Sequence, residues 1–116
     1  MVRREIVLPA SQEDVWAALT RSEELSAWFG ADVEIDARPR GGVIARHPDG
    51  TTRRGTVLAA NAPYRLVVVW EPATRDAEGS RLEFTLEPVV DGTRLTVIEA
   101  QLSAAAPERF LLEAAR

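Results

Sequence analysis

The sequence predicts an α+β fold in which helices pack on one face of a curved antiparallel sheet. Two observations carry that expectation. Helical stripes of apolar residues occur only before residue 31 and after residue 103, so no helix is placed to act as a crossover between parallel strands. Between them lie period-two runs separated by short turns rich in Pro, Gly, Asn and Asp, which join successive strands antiparallel.

Residues 3–8 read as a first strand ended by Pro9. Ser11 follows as a helix N-cap with Asp14 three positions on, an acidic residue near the positive helix end. Val15, Trp16 and Leu19 share one face of this helix. Thr20 and Glu23 predict a capping box for a second helix, with Leu25, Trp28 and Phe29 as its apolar stripe and Gly30 as its C-cap. Period two then begins. Strands are expected over 32–36, 43–47, 53–60, 64–71, 81–87 and 94–101. Turns fall at Gly41-Gly42, Pro48-Asp49-Gly50, Asn61-Ala62-Pro63, the polar stretch 72–80 and Val90-Asp91-Gly92-Thr93. A last helix is expected from Ala104 onward. The order is β-α-α-β-β-β-β-β-β-α, and the whole of 1–116 is expected to form one domain.

Composition narrows the function classes. A net charge of −4 and a pI near 5.0 speak against a nucleic-acid partner, which needs a concentrated basic face. The basic residues are all Arg, and the pairs Arg3-Arg4 and Arg53-Arg54 are too short for such a footprint. Cysteine is absent, which removes thiolate ligands and thiol nucleophiles. The N-terminus has no apolar signal-peptide core, and no run has the length of a membrane span, so a cytoplasmic location without membrane contact is expected. No cofactor is implied.

Several segments, taken in order, resemble one family. They are Pro9-Ala10-Ser11-Gln12-Glu13-Asp14-Val15-Trp16, Leu25-Ser26-Ala27-Trp28-Phe29, Gly41-Gly42, Asp49-Gly50-Thr51, Gly55-Thr56-Val57, Pro63-Tyr64-Arg65-Leu66 leading to Trp70, and Gly92-Thr93-Arg94-Leu95-Thr96-Val97. The chain resembles the SRPBCC (START/Bet v 1-like) superfamily, and within it the group named after the C-terminal domain of the activator of Hsp90 ATPase. The resemblance implies a helix-grip architecture, a seven-stranded antiparallel sheet wrapped around a long C-terminal helix. Many such proteins hold a hydrophobic ligand between sheet and helix. Here thirteen residues follow Ser103, enough for a helix of about 20 Å, so the last helix is expected to be shortened or part of the domain to be missing. An incompletely covered apolar face would then be hidden in a homodimer.

Strand alternation assigns the inner face. If Leu82, Phe84 and Leu86 point inward, so do Leu66, Val68 and Trp70, and also Leu95, Val97 and Glu99. Glu99 is the unusual member: it pairs with an inward Arg, contacts a polar ligand group, or reaches solvent at the strand end. Leu66, Val68, Trp70, Leu82, Phe84, Val97 and Phe110, with Glu99 for polar contrast, are the candidate ligand-binding residues; the alternative is a filled core. Trp16 and Trp28 read as packing residues. His47 is the only histidine and is expected to lie exposed at a hairpin tip, with no partner for metal or acid–base chemistry. No nucleophile elbow or phosphate loop occurs, so no catalytic or metal site is expected. Binding of a small hydrophobic molecule is the leading function. A protein-interaction or co-chaperone-like module is second, and an enzyme of the cyclase or hydrolase kind is third.

Overall fold

The computed structural model describes residues 1–72 and 79–102, the side chains of Trp28 and Leu102 apart. The helix expected from Ala104, and Phe110 with it, lies outside the described residues. The described chain runs β1 (Val2–Leu8), α1 (Gln12–Thr20), α2 (Ser22–Phe29), β2 (Asp32–Ile35), β3 (Gly42–Arg46), β4 (Thr52–Asn61), β5 (Arg65–Trp70), β6 (Gly79–Val89) and β7 (Gly92–Leu102). Among the described residues the strands form one antiparallel sheet in the order β1-β7-β6-β5-β4-β3-β2. The long curved sheet with two short helices is the helix-grip fold that the sequence predicts.

Local chemistry accounts for the helix ends. Ser11 Oγ accepts the backbone N–H of Asp14 at 3.1 Å, which satisfies one of the open donors of α1. Gly30 takes the left-handed conformation, φ +82°, at the end of α2. The capping box expected from Thr20 and Glu23 does not form. Arg21 occupies the cap of α2 with no side-chain bond, and the Thr20 hydroxyl donates back to the Trp16 carbonyl at 2.7 Å. The serines of α2 serve the sheet instead. Ser22 Oγ accepts from Ile35 N, and Ser26 Oγ both accepts from Val33 N and donates to Val33 O, which fastens α2 to β2.

Register fixes which side chains share a face. Opposed pairs Leu66–Phe84, Val68–Leu82, Phe84–Val97, Leu86–Leu95 and Leu82–Glu99 lie on the concave side, where the helices pack. Val33, Val43, Ala45, Val57, Leu66, Val68, Trp70 and Leu86 are buried there against Val15, Leu19 and Leu25 of the helices. The strand read as 53–60 contains a feature that simple alternation misses. A bulge between Val57 and Ala59 leaves Leu58 as the extra residue, exposed, and turns Ala60 rather than Ala59 toward the core. The loop before β3 is tied to this bulge, since Arg40 N donates to Val57 O at 2.7 Å and Val57 N to Gly41 O at 2.8 Å. Gln12 bridges from α1 to the Pro63 and Leu86 carbonyls, and Thr93 Oγ1 donates to Ala10 O. At Gly92, φ is +144° and a Cβ would collide with the Leu8 carbonyl, so the β6–β7 turn requires glycine.

The convex side is laced with ion pairs: Glu5 with Arg3 and Arg94, Glu87 with Arg94, and Glu83 with Arg65 and Arg81. The hydrogen bond from Arg65 Nε to Glu83 at 2.8 Å is the main reason the Glu83 carboxyl is held below its ordinary value of 4.5; burial opposes the effect, and the charges of Arg65 and Arg81 add to it. A carboxyl whose pKa is lowered in the fold contributes stability above its ordinary value and loses it as pH falls through the lowered one. Glu83→Gln is therefore expected to cost about 1 kcal/mol or less at pH 7, the scale of a solvent-screened pair. Urea unfolding across pH should show the wild-type and variant curves converging below pH 4.5. A gap that stays constant into acid would contradict the assignment.

Candidate functional site

The concave face divides into two regions at Trp70. Toward the helices, Leu19, Leu25, Phe29, Val33 and Ile35 meet Leu66, Val68, Trp70, Leu82 and Phe84, and the space left among them is about 30 Å³. That is room for a water or two and far below the roughly 300–1,000 Å³ of a ligand pocket. Five of the eight candidate residues, Leu66, Val68, Trp70, Leu82 and Phe84, thus surround a nearly filled core. On the other side of Trp70 the face opens into a hollow of about 260 Å³ lined by Phe29, Ala45, His47, Arg53, Trp70, Leu82 and Glu99. Trp70, Leu82 and Glu99 of the candidate set meet here. Val97 lies beside Phe84 on the same face, half-buried, and borders neither space.

The floor of the hollow has a specific construction. Gly55 lies directly opposite Trp70 in the β4–β5 pairing. A Cβ on Gly55 would come within 3.0 Å of indole Cε3 and 2.8 Å of the Val69 carbonyl, so the absent side chain lets the indole lie close against β4. Trp70 is 7% exposed as a result. The Arg53 guanidinium carbon sits 5.4 Å from the indole ring centroid, in cation–π range. Arg53 has no carboxylate partner among the described residues. Its Nε is buried without a hydrogen bond, and among the described residues its one hydrogen bond is a long one, 3.4 Å, to the Glu71 carbonyl. Glu99, half-buried on β7, has neither an ion pair nor a hydrogen bond among the described residues.

Arg53 and His47 were legible only in part. The Arg53-Arg54 pair splits between the two faces, and His47, expected to be exposed, is half-buried against the hollow. Alternation would have found both, because Val43, Ala45 and His47 share one side of β3 and its extension, as Arg53, Gly55 and Val57 do in β4. Asp49 keeps the turn role read from sequence, its carboxylate accepting from Thr51 N and Oγ1. Those bonds, with the His47 charge a lesser contributor, hold its pKa below the ordinary 3.8. Among the described residues no three His, Cys, Asp or Glu side chains gather as a metal site, and no helix is long and apolar enough to cross a membrane.

A second apolar groove, of about 540 Å³, runs between β1, β7 and α1, lined by Ile6, Leu8, Pro9, Ala10, Val15, Ala18, Leu19 and Leu95 with Asp14 at its rim. Along the neighbouring edge strand Val2 is 49% and Ile6 is 55% exposed.

Comparison with known proteins agrees with this architecture. Protein MLL2253 from Mesorhizobium loti superposes with a TM-score of 0.82 at 21% identity, over 94% of this chain and 82% of its own. CalU16 from Micromonospora echinospora gives 0.68 at 24% identity, over 97% and 69%. DynU16, from the dynemicin biosynthetic locus, gives 0.74 at 22% identity over 98% of this chain but 42% of its own. At these identities the likeness is one of fold. No curated protein matches the chain in sequence. The sequence profile of activator of Hsp90 ATPase homolog 1-like proteins matches residues 9–114, nearly the whole chain, and the chain belongs to that family.

Proposed function

We propose that the protein binds a small, largely apolar molecule in the hollow bounded by Trp70, Leu82, Phe29 and Glu99. The observation that carries the reading is the contrast along one face: about 30 Å³ where the helices cover the sheet, and about 260 Å³ beside Glu99. An apolar floor with a few polar groups at its rim is the usual make-up of a small-molecule site. The reading is of a cytoplasmic binding protein rather than an enzyme. It places Trp70, Leu82 and Glu99 in direct contact with the ligand, while Leu66, Val68 and Phe84 support the floor from within the core.

The test is chemical-shift mapping with 2-naphthol as the probe. Saturable shifts are expected at Trp70, Leu82, Ala45 and Glu99, and Leu82→Trp, which fills the hollow, is expected to weaken binding at least about tenfold by adding bulk to an occupied site. Absence of saturable shifts, or shifts confined to the convex face, would contradict the proposal.

A second reading is association with another copy of the chain. The groove beside β1 and the exposed Val2 and Ile6 on that edge strand support it, because contiguous apolar area is usually covered by a partner. Light scattering at tens of micromolar is expected to give a dimer that Ile6→Lys dissociates. A monomer would remove this reading.

A further inference from the structure

We infer that the ligand of the hollow is a small hydroxylated aromatic acid, its carboxylate held by Arg53 and its hydroxyl by Glu99; the inference rests on the binding reading above and assigns the chemistry of that site. Three observations carry it. Arg53 is positioned, and among the described residues it has no carboxylate partner, only a long bond to the Glu71 carbonyl. The indole of Trp70 supports the guanidinium at 5.4 Å, its Nε is buried without a partner, and among the described residues no carboxylate approaches it. A planar guanidinium fork is suited to bidentate capture of a carboxylate, and stacking on Trp70 reduces the side-chain freedom lost on binding. His47 stands on the adjoining hairpin strand of the same wall, where its ring can offer a further N–H.

The second observation is Glu99 on the opposite wall, equally without a partner among the described residues. An ionised carboxylate only accepts hydrogen bonds, so the group facing it must be a donor. It also repels an anion, which fixes the orientation: the acid end of the ligand goes to Arg53 and the hydroxyl end to Glu99. A purely apolar ligand would strip water from both charged side chains and return nothing, whereas one with both groups pairs each of them.

The third observation is size. Arg53 on β4 and Glu99 on β7 are separated by β5 and β6, three strand spacings or about 14 Å across the sheet, and by four residues or about 13 Å along it, less the reach of the two side chains. The hollow measures about 260 Å³. One ring or two fused rings with a polar group at each end match that gap, and the apolar body rests on Trp70 and Leu82. A long acyl chain or a four-ring system exceeds it.

The test is calorimetric titration of the full chain with 6-hydroxy-2-naphthoate, 2-naphthoate and 2-naphthol. The hydroxy-acid is expected to bind about tenfold or more tightly than 2-naphthol, the effect of one charge-assisted contact. Arg53→Gln should bring the ratio of hydroxy-acid to 2-naphthol affinity close to one, and Arg53→Lys should restore part of it. Glu99→Gln should erase the preference for 6-hydroxy-2-naphthoate over 2-naphthoate. Thermal melts of each variant establish that it is folded. If all three probes bind wild type equally, or Arg53→Gln leaves their ratio unchanged, the acid assignment is overturned and the hollow remains a site. If none of the three binds, the hollow as a binding site is overturned as well.

Discussion

The indole of Trp70 lying against Gly55 organises the concave face. Trp70, with Phe29 and Leu82, borders both the filled core and the open hollow, so its position helps decide where one ends and the other begins. The position depends on a missing atom: with Gly55 opposite, the ring lies close to β4, and any Cβ there would push it away. The same ring then supports Arg53, two residues from Gly55 on the same strand face. Core packing and the polar character of the hollow thus share one contact.

The two faces of the sheet handle charge in opposite ways. On the convex side every Glu of β6 and its neighbours is matched to an Arg, and the depressed pKa of Glu83 is the thermodynamic trace of such a match. On the concave side Arg53 and Glu99 face a common space without meeting. Two half-buried opposite charges held apart around one space stand where a third group can join them.

Much of this architecture was legible in the sequence. Period-two alternation located all seven strands to within a few residues and put Leu66, Val68, Trp70, Leu82, Phe84, Val97 and Glu99 on one face, as the register shows. What alternation cannot carry is an interruption. The bulge at Leu58 shifts the inward set of β4 by one residue, and it depends on the Arg40 and Gly41 backbone bonds from a loop distant in sequence. Local capping rules failed at Thr20 for a similar reason: the backbone of β2 competes for the serines of α2, and Thr20 bonds back into its own helix. Arg53 was hidden by its neighbour, because two adjacent arginines read as a charged pair until the pleat sends them to opposite sides.

The most direct measurement is the proton NOE pattern around the Trp70 indole in the protein without added ligand. Cross-peaks are expected from the ring to the Gly55 α-protons and to the Arg53 δ-methylene, with the Arg53 methylenes moved upfield by the ring current. Arg53 methylenes at ordinary shifts, with ring contacts to the helices alone, would mean that Trp70 does not support Arg53, and the division of the concave face would fall with it.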